Sequence, residues 1–260
     1  MLGVLGGLEP SLKAAAHHNR DHYALKGFDV FIDPKSEASY LSLAIPKTHA
    51  DASWTTSWTE AIAEMQALFK SLKRQARLEY FHELYPSLAD TLLAAGFKEE
   101  MRAPIMVLDK ANLTTTPQKL PNTHYLPLRV DDSALIEQSL RCQSLAYGGD
   151  GGDGALIWLA NLLTGLADGS KKMSILLQDD APVAGAVLQI GGGIAELAGV
   201  WTLPEKQKQG LAFSFCQQFL AEYFAEGYQR CWLSAAEGAQ RLYEKLGFVK
   251  VGTQLNFAQS

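Results

Sequence analysis

The sequence predicts a mixed α/β (α+β) protein made of two related halves, each a mostly antiparallel mixed sheet flanked by helices. Three observations carry that expectation. Apolar residues switch repeatedly between helical spacing and short strand-like runs. The second half contains three consecutive strand patterns separated by tight-turn residues. A helix–glycine–strand unit also occurs twice, with its glycines, Gly96 and Gly247, 151 residues apart.

Taken in order, the opening MLGVLGGL is apolar but short and has no basic flank, so it does not read as a signal peptide. Residues 28–32 and 40–45 read as strands, and 58–72 carry apolar residues at helical spacing. The first helix–glycine–strand copy is PSLADTLLAAGF at 86–97, followed by an extended stretch to Leu108. The second is GAQRLYEKLGF at 238–248, followed by Val249 to Thr253. In each, glycine accepts the left-handed backbone that stops a helix, and Phe opens the next strand. Between them the threonine-rich KANLTTTPQKLPNT at 110–123, with two prolines, reads as a linker. The expected domains are therefore 1–115 and 124–260.

In the second half, 125–130 reads as a strand and 132–145 as a helix. Strands at 174–178, 183–190 and 194–202 are separated by Asp179-Asp180-Ala181-Pro182 and Gly191-Gly192-Gly193, which predicts an antiparallel meander. A long helix at about 206–225, a strand at 231–234, the Tyr243 helix and a last strand complete the pattern.

Composition narrows the function. The 260 residues carry 23 Lys and Arg against 28 Asp and Glu, a net charge of -5. That balance argues against nucleic acid or an anionic membrane as a partner, yet leaves room for a small basic pocket. Cys142, Cys216 and Cys231 are odd in number and far apart, which excludes a disulfide framework or a cysteine-rich zinc site. A reducing compartment follows, with a cytoplasmic location as the default. No apolar run reaches the roughly 18 residues of a membrane span.

The densest chemical signal is VWTLPEKQKQGLA at 200–212: strand, proline, glycine-containing loop, long helix. The first N–H groups of a helix have no intrahelical partner, and the helix dipole favours negative charge there. Gly210 and the small Ala212 would let a diphosphate approach the main chain, with Lys206 and Lys208 adding positive charge.

Here the sequence resembles a known family. Gln207-x-x-Gly210-x-Ala212 after Val-x-Thr-x-Pro is similar to the acetyl-CoA signature of the GCN5-related N-acetyltransferase (GNAT) superfamily. The stretch LYEKLGF at 242–248 and the preceding strand Cys231-Trp232-Leu233-Ser234 fit the same pattern, so the resemblance covers roughly 124–258. It implies acetyl-CoA as co-substrate, no metal, and a small-molecule or peptide amine as acceptor. Backbone groups of Val200, Trp201 and Thr202 would pair with the pantetheine arm as an added strand does. The amides of Gln207, Lys208, Gln209, Gly210, Leu211 and Ala212 would hold the pyrophosphate.

Tyr243 would stand near the thioester sulfur and protonate the departing thiolate, although a packing tyrosine fits the same helix. Glu196 lies four residues before Val200, the spacing at which related histone acetyltransferases carry their general base. Strict alternation would put Glu196, Ala198, Val200 and Thr202 on one face, with an exposed strand carboxylate as the alternative. Ser234 and Glu237 could orient water or substrate, but Ala236 occupies a place where the family often has Asn.

The first half looks like a decayed copy. Leu92 stands where Tyr243 would be, and PKTHADASW at 46–54 has no glycine for a pyrophosphate loop. It is expected to be non-catalytic. His17-His18-x-x-x-His22 reads as a solvated helix face, since no further ligands follow at metal-site spacing. The single GGDGGD at 148–153 reads as a flexible loop, because one copy cannot build a calcium-binding stack. The sequence thus predicts an acyltransferase of the N-acetyltransferase kind. Rival readings are an acyl-CoA sensor or interaction protein without turnover and an acyltransferase for another acceptor. The acceptor and the oligomeric state, a homodimer included, stay open.

Overall fold

The computed structural model describes residues 2–36, 38, 41–47, 57–114 and 120–259. The chain forms two compact units, one of residues 1–105 with 251–260 and the other of residues 106–250. These are drawn differently from the expected 1–115 and 124–260. The last ten residues cluster with the first unit because their strand hydrogen-bonds there.

The first unit contains α1 (Leu2–His17), β1 (Asp21–Ala24), β2 (Phe28–Ile32), β3 (Leu43–Pro46), α2 (Trp58–Ser71), β4 (Arg77–Phe81), α3 (Leu88–Ala94) and the start of β5 (Phe97–Asp109). α1, which the sequence pattern does not mark as a helix, buries Leu5, Leu8 and Leu12. A capping box opens α2: Ser57 Oγ accepts from the Glu60 N–H, and Glu60 Oε2 accepts from the Ser57 N–H. The two exchanged bonds satisfy donors that a helix start otherwise leaves open. The strand expected at 40–45 begins only at Leu43, Tyr40 lying outside the described residues. So do 48–54 of the PKTHADASW segment and 115–119 of the linker.

The sheet of this unit runs β1-β2-β3-β4, and residues 254–258 of the last strand pair antiparallel with β4. Its core is aromatic-rich, with Phe28, Phe69, Tyr80 and Phe257 fully buried. The three histidines do not share a helix face. α1 ends at His17, and His22 sits on β1, where its Nε2 lies 3.0 Å from Asp29 Oδ1. Among the described residues there is no group of three or more His, Cys, Asp or Glu placed to hold a metal ion. Nor is any described helix long and apolar enough to cross a membrane.

The second unit contains the end of β5, β6 (Thr123–Leu128), α4 (Ser133–Ala146), α5 (Leu159–Asp168), β7 (Lys171–Gln178), β8 (Ala181–Gly191), β9 (Ile194–Thr202), α6 (Leu211–Ala225), β10 (Arg230–Ser234), α7 (Gln240–Leu246) and the start of β11 (Val249–Gln259). β7, β8 and β9 form the expected antiparallel meander, β6 pairs antiparallel with β7, and β10 lies parallel beside β9. Each face of this sheet has its own apolar layer. Leu188 and Leu197 pack with Phe215 and Phe219 of α6, whereas Met173, Ile175 and Trp201 pack with Ile136, Leu140 and Leu162 of α4 and α5. α6 starts at Leu211, not near 206, because Lys208 and Gly210 both take a positive φ that a right-handed helix cannot contain.

Both helix–glycine–strand copies form, with Phe97 opening β5 as expected but Phe248 lying one residue before β11. α3 is followed by Gly96 (φ +87°) and β5, and α7 by Gly247 (φ +104°) and β11. The position of Tyr243 is matched in the first copy by Leu92, a fully buried core residue.

Candidate functional site

The site begins with an irregularity in β9. Val187 pairs with Ala198 and Gly185 with Trp201, so Gly199 and Val200 together stand opposite Ala186 alone. One extra residue makes a β-bulge, and Gly199 takes it up at φ +59°. A Cβ at Gly199 would run into Gln143 Nε2. Backbone conformation and close approach thus both call for glycine here.

The bulge corrects the expected alternation. Before it, Ala195 and Leu197 face the α6 layer, so Glu196 and Ala198 face the other way. After it, Val200 packs on the α6 side and Trp201 on the α4 and α5 side. Glu196 therefore shares a face with Trp201, not with Val200 and Thr202. An inserted residue reverses the parity of every side chain beyond it.

β10 pairs with β9 through Cys231 with Ala195 and Trp232 with Glu196, and no further. Beyond that point the strands part. Glu196 sits at the apex of the opening, where Gln189 Nε2 donates to its Oε2 at 3.2 Å.

Past the opening lies a cleft of about 900 Å³. It gathers Val200, Trp201 and Thr202 from β9, Lys206, Gln207 and Lys208 from the loop, Gly210, Leu211 and Ala212 from the start of α6, and Tyr243 from α7. Glu196 and Gln209 are not among its lining residues. Gln209 is exposed and donates instead to the Glu205 carbonyl at 3.3 Å. Gln207 Nε2 donates to the Thr202 carbonyl at 3.3 Å, folding the loop against the strand, and Lys206 Nζ donates to Gln178 Oε1 at 3.0 Å.

Two further cations, Arg241 and Lys245, line the cleft from α7, against the single carboxylate of Glu237. The sequence reading passed over this pair. Their i, i+4 spacing, which places both on one helix face, was the available signal.

The cleft suits a ligand that is anionic at one end and polar along its length. The N–H groups at the start of α6 point outward without intrahelical partners, and four cations surround them. Thr202 Oγ1 is buried and makes no hydrogen bond to any described residue.

Tyr243 is buried, its ring edge-on to Phe248 with centroids 5.8 Å apart. Burial pushes its phenol above the ordinary tyrosine range, with Cys216 and Tyr147 acting in the same direction. The group is thus a proton carrier at any physiological pH. Burial also pushes the Cys216 thiol up to about 12 and moves Cys231 the same way, so neither is a ready nucleophile.

Tyr147 is a third residue that the sequence pattern does not mark. Its ring is largely exposed at the end of α4, yet its hydroxyl donates to the Val200 carbonyl at 2.9 Å. No periodicity or motif marks a residue that acts across 53 positions of chain. Ser234 ends β10 and does not line the cleft, whereas Glu237 does.

Residues 148–248, all within the second unit, match the model of the acetyltransferase (GNAT) family. The fold is similar to that of a GCN5-related N-acetyltransferase from Kribbella flavida, with TM-score 0.78 and 20% identity over 97% of this chain and 93% of that one. A GCN5-related N-acetyltransferase from Sphaerobacter thermophilus gives TM-score 0.65 and 13% identity over 90% and 80%. A tandem GNAT protein from the clavulanic acid biosynthesis pathway gives 0.64 and 10% over 89% and 77%. At these identities the likeness is one of fold. No curated protein matches the sequence. The chain thus has a GNAT fold, and the stretch matched by the GNAT family model is the one that carries the cleft.

Proposed function

We propose that this protein is an acetyl-CoA-dependent N-acetyltransferase that passes an acetyl group to a primary amine by direct attack in a ternary complex. One observation carries the reading. The open edge of β9, the N-terminus of α6 and the buried phenol of Tyr243 border a single cationic cleft. The GNAT match of residues 148–248 supports it.

The chain's residues divide the work as follows. Main-chain groups of Val200, Trp201 and Thr202 hold the pantetheine arm, and the otherwise unpartnered Thr202 hydroxyl takes a polar group of the same arm. The α6 N-terminus holds the diphosphate, with Lys208 and the α7 cations Arg241 and Lys245 adding charge. Tyr243 donates its proton to the leaving thiolate. Glu196 takes the proton of the amine, directly or through water, reaching the reacting carbon through the gap between β9 and β10 from the face opposite the cleft. The first unit is non-catalytic, with Leu92 in place of the phenol, and the protein works in the cytoplasm, where its three free thiols are stable.

The test is acceptor-dependent release of free thiol from acetyl-CoA across amines, polyamines, aminoglycosides and peptides. Turnover with a primary amine is expected. Tight CoA binding with no thiol release from any of them would make the protein an acyl-CoA sensor.

A further inference from the structure

Two side chains of α4 reach across to the bulge of β9. Gln143 Nε2 donates to the Gly199 carbonyl at 3.0 Å, and Tyr147 Oη donates to the Val200 carbonyl at 2.9 Å. They sit four residues apart, hence on the same face of the helix end. Gly199 and Val200 are the two residues without a register partner on β8, and β10 has already parted from β9 at Glu196. Regular register is therefore interrupted at this pair, and the two side chains from the end of α4 hold its carbonyls.

A trans peptide holds its C=O and N–H within one rigid plane, pointing in opposite directions. Fixing the Gly199 carbonyl on Gln143 therefore fixes the Val200 N–H in the opposite direction. Fixing the Val200 carbonyl on Tyr147 does the same for Trp201 and prevents Val200 from rotating about its own dihedrals. The absence of a Cβ at Gly199 lets Gln143 come this close.

We propose that Gln143 and Tyr147 are positioning residues that clamp the β9 bulge and aim the Val200 N–H at the acyl carbonyl of the bound thioester. The inference rests on the acetyl-CoA reading above and adds to it the source of the donor's preorganisation. A donor held in place before reaction stabilises the developing oxyanion without reorganisation at the moment of attack. Phenol and amide are matched to this role, since each supplies a neutral donor to a carbonyl without placing charge beside the thioester.

The test reads the carbonyl itself and needs no acceptor. Isotope-edited infrared difference spectra of [1-13C]acetyl-CoA bound to the full-length protein should show the thioester carbonyl band below its frequency in free acetyl-CoA. In Tyr147→Phe and in Gln143→Leu the band should return at least halfway to the free value. Acetyl-CoA affinity should stay within about threefold, because the diphosphate contacts at α6 are untouched. Where an acceptor is in hand, kcat should fall about tenfold or more with KM for acetyl-CoA little changed. The double variant should lose less than the sum of the singles, since both bonds hold one segment. A wild-type band that is not shifted, or a shift that survives both substitutions, overturns the clamp while leaving the acetyltransferase reading intact. Failure of the wild-type protein to bind acetyl-CoA overturns both.

Discussion

Tyr243 and Glu196 differ in what their surroundings make of them. Tyr243 is enclosed, with its phenol held neutral by burial, so it can give a proton but has no tendency to lose one early. Tyr243→Phe is expected to lower kcat by about 10²-fold with acetyl-CoA affinity little altered, since only the proton donor is removed. Stopped-flow thiol release and calorimetric binding would separate the two quantities. The wild-type rate should show no alkaline decline attributable to this phenol below pH about 10, its ordinary value, because the folded value lies higher. A half-maximum well below that would remove Tyr243 as the acid. Glu196 is placed by the strand opening, with Gln189 beside its carboxylate. Glu196→Gln should depress the rate most at low pH, where amine deprotonation limits; a uniform loss across the pH range would remove it as the base. Both residues were legible from spacing within a family pattern. Tyr147 and Gln143 were not, because their importance arises from hydrogen bonds across the fold.

Among the elements, β9 shows how one residue changes the meaning of a strand. Its sequence alternates well enough to suggest a regular strand, and Gly199 is the only local sign that it is not. The bulge reverses side-chain parity and leaves Gly199 and Val200 without register partners on β8. The α7–β11 junction is the opposite case, readable in sequence and reproduced in structure. Gly247 stops α7 at φ +104°, and a Cβ there would collide with the Asn112 carbonyl. Gly247→Ala should therefore cost about 1–3 kcal/mol, seen as a melting temperature lower by about 5 °C, since strained φ and overlap act together. An unchanged melting temperature would mean that the junction relaxes freely. The α6 start lies between these extremes. Its residues are legible in the sequence, but the pattern puts its first turn near 206, because the positive φ of Lys208 has no sequence signature.

At the scale of the molecule, the compact units exchange chain at their ends. β5 runs from the first into the second, and β11 returns from the second to the first. We propose nonetheless that the two halves descend from one helix–glycine–strand plan, the second retaining the cleft residues and the first replacing Tyr243 by a core leucine at Leu92. The second unit also buries Tyr223 and Tyr243 and partly buries Tyr125, and burial raises the pKa of all three phenols. Their folded values lie above the ordinary value near 10, so the stability they carry is complete below that pH. It is lost as the pH climbs past it, because the unfolded chain then releases phenolic protons that the folded one retains. The urea midpoint should accordingly fall between about pH 8 and about pH 11, and by less in a Tyr125→Phe, Tyr223→Phe, Tyr243→Phe variant. An undiminished fall in that variant would mean that these phenols do not carry the alkaline loss.

The sequence by itself determined the alternation of helices and strands, the meander, the glycine stops, the GNAT signature and the residues around the α6 start. Each of these depends on neighbours within a turn or a strand. Tertiary structure alone decided that Glu196 and Val200 face opposite ways, that Arg241 and Lys245 join the lysines of the loop, and that α4 holds the bulge. It also decided that the last ten residues belong to the first unit. Those facts depend on pairing register and on contacts between residues far apart in the chain, which local pattern does not encode.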